Sequence, residues 1–523
     1  MKLKDLLAGL NYRFMEGMDC PDYDKDISAL CFDNRAEIPE DAAFVCISGT
    51  KYDTHDFADE AFRKGAACVI AEHEVDIKYA PEDKELTVII VKDSRKALSI
   101  LSANWFGNPS RSLLTIAITG TKGKSTTAGM IRSILEEDGH KTGIIGTLGV
   151  GIKDRYIHTN NTTPGPFDLQ KYMRMMVDEG CDSLVMEVSS QALKQSRTAA
   201  IVFDYALFTN LEQDHIGENE HADFSEYMHC KSLLFRQCRH AAANMDDPHW
   251  REVTQDFGAG RNNSGTFGNG TGSEDNTVCE VETFSVDENN ENGNGNAIYA
   301  RNIRFTNDQG ELGIEYDVKG AFEEHIKLSI PGRFNVYNSL AAIAVCRHIV
   351  KDRSSITSGI YKTKVLGRLE PVKISDRFSL MIDYAHNAMA LESLLKTLRE
   401  YNPGRLVCLF GCGGNRDKER RYEMGEVSSE LSDLTVVTSD NPRFEEPLDI
   451  INDILSGVRK ASGWYVVIPD RRDAIRYCIE NAKDGDMIVL AGKGQEDYQE
   501  IKGVKYHMDE REIISDIVKD LKL

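Results

Sequence analysis

The stretch "AITGTKGKSTTAGMI", Ala117 to Ile131, constrains this chain more than any other. An apolar run enters a Gly-rich turn, and the turn enters an amphipathic segment. Gly120 and Gly123 let the backbone bend so that successive N–H groups converge on an anion. Lys124 adds a cation, Ser125 and Thr126 add hydroxyls that can hold Mg²⁺, and a helix starting here adds the positive end of its dipole. The spacing is tighter than G-x-x-x-x-G-K-[ST], which would put glycine where this chain has Ile118. Strand, phosphate loop and helix still follow in order, so the segment predicts a nucleotide site on a parallel α/β sheet. The loop does not choose among kinase, switch, motor and ligase.

A chain of 523 residues is too long for one core, and its length suggests about three domains. No run approaches the ~18 apolar residues of a membrane helix, and the start "MKLKDLLAGLNYRF" has neither an apolar core nor a small-residue cleavage site. The 12 cysteines contain no C-x-x-C pair, which argues for free thiols in a reducing cytoplasm rather than a disulfide frame or zinc site. A net charge of −22 disfavours nucleic acid and anionic membrane as partners, since phosphate contacts need a basic face.

Short strand-like runs, "AAFVCI" and "AACVIA", occupy the chain to about residue 110. From "LLTIAITG" onward, strands alternate with amphipathic helices: Met130, Ile131, Ile134 and Leu135 share one helical face, and Gly139 closes that helix. "KTGIIGT", "CDSLVMEVSS" and "DYALFTNL" read as further buried strands. Glycine- and asparagine-rich loops follow between 258 and 296, with "VCEVETFSV" as a strand between them. "PGRFNVYNSLAAIAVCRHIV" is a turn and a buried helix, and a linker is expected near Ile356–Glu370. The last third, from "LMIDYAH" to "DMIVLAG", alternates again as a doubly wound domain. Its "FGCGGNRD" fails the dinucleotide fingerprint because Arg416 stands where the third glycine belongs. The expectation is a three-domain α/β chain: 1–110, 111–352 with a Gly/Asn-rich hairpin insertion, and a Rossmann-like 353–523.

Glu187 ends one buried strand, and Asp214–His215 follow another. Parallel strands put both at the sheet edge that carries the phosphate loop, where a carboxylate and an imidazole can complete a magnesium shell.

The motifs "GTKGKSTT", "NTTP", "MEVSS", "FTNLEQDH", "YMHCKSLLF", "GRFNVYNSLAA", "LGRLE", "DYAHN", "DNPR" and "AGKGQE" stand in the order seen in the Mur ligases. The chain resembles that family over nearly its whole length and is most similar to the MurE branch, the UDP-N-acetylmuramoyl-tripeptide synthetases. The resemblance implies an ATP-dependent amide ligase of peptidoglycan precursor synthesis, cytoplasmic and monomeric, working through an acyl phosphate. It makes Gly120, Thr121, Lys122, Gly123, Lys124, Ser125 and Thr126 the triphosphate loop. Asn335, Asn338, Arg368 and Asp383 become further ATP contacts. Glu187 and His215 become Mg²⁺ ligands beside Ser125, and Lys231 becomes a lysine carbamylated by CO₂ that holds a second metal ion.

By the same resemblance, Phe32, Asn34, Thr50, Lys51 and Tyr52 hold uridine diphosphate. Asn161, Thr162, Thr163, Ser189, Gln195 and Arg197 hold the muramoyl-dipeptide. Asp440, Asn441, Pro442 and Arg443, with Arg416, Gly492 and Glu496, form a pocket for meso-diaminopimelate. A guanidinium fork reads the distal carboxylate that lysine lacks, Glu496 pairs with the distal ammonium, and a bound lysine would leave a buried arginine unpaired. "DNR", "SSQ", "HNA" and "GKGQE" replace the family's "DSR", "SSH", "HNP" and "GKGHE". A ligase using L-lysine or another amine, a folylpolyglutamate-synthetase-like ligase, a regulatory switch and a non-catalytic precursor-binding protein remain the alternatives.

Overall fold

The computed structural model describes residues 1–16, 22–49, 52–79, 86–213, 216–217, 220–257, 280–287, 290, 295–308, 311–364 and 367–522. Thr50, Lys51, Asp214, His215, the loop at 258–279 and most of 287–296 lie outside the described residues. The chain divides into two compact units, Met1–Ala128 with Gly139–Thr283, and Gly129–Asp138 with Phe284–Leu523. The architecture is α/β throughout, as the alternating pattern predicts.

The first unit begins with a five-stranded sheet in the order Tyr12–Phe14, Thr87–Val91, Ala66–Ala71, Ala42–Val45, Leu30–Cys31, antiparallel only at its first pair. "AAFV" and "AACVIA" are buried at every position, as strands covered on both faces must be. Further along, strand Leu114–Thr119 lies between Phe203–Phe208 and Ser183–Glu187, parallel to both. Cys238–Asn244 flanks it on the first side and Thr142–Gly146 on the other, also parallel. Because these strands run the same way, the residues following Thr119, Glu187 and Phe208 emerge at one carboxyl edge.

In the second unit, strands Ile298–Asp308, Glu311–Gly320 and Glu324–Leu328 pair antiparallel, and Phe284–Ser285 run parallel beside the first of them. The expected buried helix spans Phe334–Cys346. The expected linker differs: its first half is helix Ser354–Lys362, with Ile356 and Ile360 buried. This helix packs on Gly129–Asp138, where Ser133 Oγ donates to the Gly359 carbonyl at 2.7 Å and Lys362 pairs with Glu137 at 2.8 Å. A Cβ on Gly359 would lie 2.5 Å from the Ile134 Cα, so the glycine that reads as a breaker permits a close helix crossing. No helix among the described residues is long and apolar enough to cross a membrane.

The six-stranded sheet of this unit runs Glu370–Pro371, Ser379–Asp383, Asp486–Ala491, Arg405–Phe410, Leu434–Val437, Tyr465–Val467. All but the first pair are parallel. The loops after Asp383, Phe410, Val437 and Ala491 therefore share one edge, and they carry the motifs "DYAHN", "GCGGNRD", "DNPR" and "GKGQE".

Arg421, with a side chain only 1% exposed, ties two of this sheet's helices. From Glu419–Leu431 it forks onto Glu445 at 2.8 and 2.9 Å and reaches Asp453, in helix Pro447–Val458, at 2.9 Å. The guanidinium holds the Glu445 carboxyl down at about 2, against an ordinary 4.5. A carboxyl whose pKa is depressed in the folded state stabilises above its unfolded value, so this contribution is present at neutral pH and lost as pH falls from 4.5 toward about 2. Replacing Arg421 by Met takes the guanidinium from Glu445 and leaves Asp453 with Lys418 alone, and should cost about 2 kcal/mol, roughly 4–8 °C for a unit of this size. Thermal melts at pH 7 and pH 3 check this: the variant's deficit should be smaller at pH 3.

Candidate active site

Gly120 and Gly123 both adopt positive φ, 150° and 85°, between strand Leu114–Thr119 and helix Lys124–Glu137. The loop is fastened to the end of the neighbouring strand. Thr121 N–H donates to the Asn210 carbonyl at 2.9 Å, Lys122 N–H to Asn210 Oδ1 at 2.8 Å, and Thr209 Oγ1 to the Lys122 carbonyl at 2.8 Å. Lys124 Nζ donates back to the carbonyls of Gly120 and Thr121 at 2.9 and 3.0 Å. Ser125 is half-buried and Thr126 buried in the first helical turn.

Lys231 lies in helix Phe224–Ser232, and its side chain is buried although it is a lysine. Its Nζ donates to the same Gly120 carbonyl at 2.9 Å and stands 4.4 Å from the centre of the Tyr227 ring. The Tyr227 hydroxyl meets Thr121 Oγ1 at 3.1 Å. Two lysine side chains thus converge on one loop carbonyl. Tyr227, Thr209 and Asn210 are contributors that the sequence reading missed, though "YMHCKSLLF" and "FTNLEQDH" contain them.

Glu187, 3% exposed, ends strand Ser183–Glu187 and accepts from Thr147 N–H at 2.9 Å and the Thr147 hydroxyl at 3.1 Å. Thr147 meets Thr162 at 3.3 Å, and Thr163 Oγ1 donates to the Glu187 carbonyl at 2.9 Å while accepting Ser189 N–H at 3.1 Å. Arg197 donates to the Thr163 carbonyl at 2.6 Å and to Gln195 Oε1 at 2.8 and 3.1 Å. Burial, helped by the neighbouring Arg95 guanidinium, pulls Arg197 below its usual range. Thr162, Thr163, Ser189, Gln195 and Arg197 are therefore one cluster joined to Glu187. Asn161 is exposed beside it, its carbonyl accepting from Thr159.

The Phe32 ring lies tilted against Phe167, centres 5.7 Å apart, and Phe167 in turn meets Phe106 at 5.0 Å. Asn34 is half-buried, its carbonyl bound by Lys64, and Tyr52 is 76% exposed. Nearby Asp53, His55 and His73 stand close enough together to suggest a metal. Both His55 ring nitrogens are already engaged: Nε2 accepts Glu72 N–H at 3.0 Å, so Nδ1 carries the proton toward Asp53 at 2.5 Å.

In the second unit, Asn335 and Asn338 form a buried pair: Asn338 Nδ2 donates to Asn335 Oδ1 at 2.9 Å, and Asn335 Nδ2 to the Pro331 carbonyl at 2.7 Å. Asp383 turns its oxygens to the backbone N–H groups of Leu369 and Ala385, each at 2.8 Å. Burial raises its pKa even so. The linker turn is held on the sheet edge by these bonds, and Arg368 rests 5.2 Å over the Tyr384 ring.

The "DNPR" and "GKGQE" loops interlock. Asn441 donates to Glu496 Oε2 at 2.9 Å and accepts from Lys493 Nζ at 2.8 Å and Glu500 N–H at 2.9 Å. Lys493, with a side chain 0% exposed, also reaches Glu496 at 3.1 Å. Arg443 adopts a φ of 51° and sits beside Gly413 and Arg416, which is exposed. Asp440 Oδ2 lies close to Gly492, and the Pro442 carbonyl packs on Gly414. Arg443 was expected as a buried guanidinium that lysine would leave unpaired. It is instead half-buried and bonded to Glu500 at 3.2 Å and the Gly414 carbonyl at 2.8 Å. Its charge is balanced inside the loop by a residue from the hairpin Tyr498–His507, far along the chain.

An alanine Cβ at 120 would lie 2.0 Å from Thr209 Oγ1, and the backbone there is one that side chains rarely adopt. Gly120→Ala should therefore displace the loop and weaken nucleoside triphosphate binding about tenfold or more, read by calorimetry. Unchanged affinity would show that these N–H groups do not hold the phosphates.

Residues 118–346 match the Mur ligase middle domain, and residues 367–494 match the Mur ligase, glutamate ligase domain. The UDP-N-acetylmuramoyl-L-alanyl-D-glutamate–2,6-diaminopimelate ligase of Clostridium perfringens is 37% identical over 521 residues, covering 99% of this chain and 100% of that protein. The ligase of the same name from Bacillus licheniformis is 38% identical over 527 residues, covering all of both chains. Among solved structures, one ligase of that name shares the fold with a TM-score of 0.73 at 24% identity, over 100% of this chain and 99% of its own. A folylpolyglutamate synthase of Mycobacterium tuberculosis shares it with a TM-score of 0.55 at 16% identity, over 76% of this chain and 92% of its own. With relatives at this identity spanning the full length, the chain belongs to the Mur ligase family, an ATP-dependent ligase family, in the branch of its diaminopimelate-adding relatives.

Proposed function

We propose that this enzyme joins meso-2,6-diaminopimelate to the γ-carboxylate of the D-glutamyl residue of UDP-N-acetylmuramoyl-L-alanyl-D-glutamate. The observation that carries the reading is identity of 37–38% to ligases named for that reaction, over 99–100% of this chain and 100% of each of those proteins. The resemblance to folylpolyglutamate synthase is one of fold and covers less of the chain.

In this reading the substrate carboxylate attacks the γ-phosphorus of ATP, ADP leaves, and an acyl phosphate forms. The amine nitrogen then attacks the acyl carbon, and phosphate leaves as the amide forms. Both reactants of the first step are anions, so positive groups must converge on them. Lys124 supplies one, and the N–H groups of Gly123 and Ser125 would supply partial charge, those of Thr121 and Lys122 being bonded to Asn210. Thr162, Thr163, Ser189, Gln195 and Arg197 would orient the dipeptide end of the nucleotide sugar. Phe32, Asn34 and Tyr52, with Thr50 and Lys51, would hold its uridine diphosphate. Asn335, Asn338 and Arg368 would contact ATP, with Asp383 acting through the turn it anchors. The reading assigns these roles to modules 1–110, 111–352 and 353–523, and a separate sheet near each end of the chain supports that division.

The donor set suits magnesium: Glu187 is a buried carboxylate with neutral partners, and Ser125 lies in the first turn of the helix. Ser125, Glu187, His215 and a carbamylated Lys231 would hold it, and magnesium screens charge between the two anions. The observation favouring the carbamate is that Lys124 and Lys231 donate to one carbonyl. Reaction of the neutral Lys231 amine with CO₂, releasing a proton, replaces one of two crowded cations by an anion. ¹³C NMR under labelled CO₂ should show a carbamate signal in the unmodified protein that Lys231→Ala lacks. Millimolar acetate should restore part of that variant's lost activity. An absent signal, or a fully active alanine variant, refutes the modification.

Arg443 and Arg416 would read the distal carboxylate of diaminopimelate, and Glu496 its distal ammonium. Because Arg443 is already balanced by Glu500 and Glu496 by Lys493, lysine forfeits a contact without stranding a charge. The expected preference for diaminopimelate is then about 2–3 kcal/mol, roughly 30- to 150-fold in kcat/KM. Amine-dependent phosphate release from ATP, with the nucleotide sugar and each amino acid in turn, measures it. Arg443→Ala should erase most of the preference while leaving the KM for ATP within about twofold. Equal use of both amines by the unmodified enzyme overturns the specificity, and phosphate release independent of any amine overturns the ligase reading.

A further inference from the structure

Beneath the "DNPR" and "GKGQE" loops lies an ion pair that none of the roles above uses. Arg471 opens helix Arg471–Glu480, Glu510 opens helix Glu510–Leu521, and their side chains are each 1% exposed. Arg471 Nε donates to Glu510 Oε1 at 2.8 Å. One terminal nitrogen donates to the Ala491 carbonyl at 2.9 Å, and the other to the Ser439 carbonyl at 3.4 Å. Ser439 precedes Asp440 and Ala491 precedes Gly492, so each carbonyl belongs to the root of one loop.

The strands that carry these roots are not neighbours. Arg405–Phe410 lies between Leu434–Val437 and Asp486–Ala491. Ladder hydrogen bonds join each to the middle strand but cannot set the spacing between the two loops beyond it. A guanidinium can, because its donors sit in a rigid planar fork, whereas a lysine has one nitrogen on a flexible stem. Burying such a pair carries a desolvation cost, and an apolar pair of similar volume would fill the space at lower cost. The pair therefore calls for a geometric role. The geometry supplies one: Asp440 Oδ2 stands 4.0 Å from Arg471, and the Asn441–Lys493–Glu496 contacts close directly above.

We infer that Arg471, braced by Glu510, is a positioning residue that fixes the separation of the two loops reading the incoming amino acid, and so governs amino-acid affinity. The inference rests on the assignment of those loops to the amino acid. Arg471→Lys keeps the charge and loses the fork. Glu510→Gln keeps the acceptor and loses the charge. Steady-state KM for ATP, nucleotide sugar and amino acid is measured for both variants, alongside melting temperature. Arg471→Lys should raise KM for the amino acid about tenfold or more, and Glu510→Gln about three- to tenfold, with the other two KM values within about twofold. An unchanged amino-acid KM in a folded variant overturns the inference. So does an equal rise in all three constants, and so does failure of both variants to fold, which would make the pair an element of stability alone. Should the unmodified enzyme reject diaminopimelate, the functional reading fails by itself, and the same comparison is made with whichever amine it uses.

Discussion

Strand Leu114–Thr119 is hydrogen-bonded on both sides by parallel strands, and the reactive part of the first unit depends on that one arrangement. Parallel pairing delivers the phosphate loop, Glu187 and the Thr209–Asn210 turn to a common edge. The loop then adopts its shape against that edge: four hydrogen bonds with Thr209 and Asn210 hold residues 121 and 122, and Gly120 admits Thr209 where a side chain would collide. The loop's geometry is thus stored in the neighbouring strand as much as in the loop itself. The same principle recurs in the six-stranded sheet, where four loop motifs leave one edge.

The two sites handle charge differently. Around Gly120 the first unit brings Lys124 and Lys231 to one backbone carbonyl, and at the same sheet edge Glu187 accepts from neutral Thr147 donors. In the loops above Arg471, each charge meets its opposite within the protein: Lys493 with Glu496, Arg443 with Glu500, Arg471 with Glu510. A zwitterionic amino acid suits that surface, because it can exchange partners with it without leaving a net charge buried. Under the proposed function, selectivity there would come from geometry more than from Coulomb energy.

Strand and helix placement was legible wherever periodicity was strong. The burial of Met130, Ile131, Ile134 and Leu135 followed from their spacing, and the uninterrupted apolar runs of the last third became parallel strands. Helix Ser354–Lys362 was not legible: "SSITSGIYK" is rich in serine and β-branched residues with a central glycine, all of low helix propensity. It exists because two isoleucines are buried and the glycine lets it press on another helix. Tyr227, Lys493 and Glu500 were missed for a related reason. Each acts through a partner dozens of residues away or through a backbone atom, and neither leaves a pattern in the sequence.

The sequence by itself determined the chemistry on offer: a glycine turn with a lysine and hydroxyls, carboxylates after strands, and a motif order that specifies the family. Those signals are local, carried by residue types at short spacing. The tertiary structure decided which charges are spent and which are available. Asp383 binds two amides, Asn441 joins two loops, and Arg443 is neutralised by Glu500, because folding brings together groups that chain distance keeps apart. A side chain's role follows from its chemical type only after its nearest partner is known, and that partner is chosen by packing.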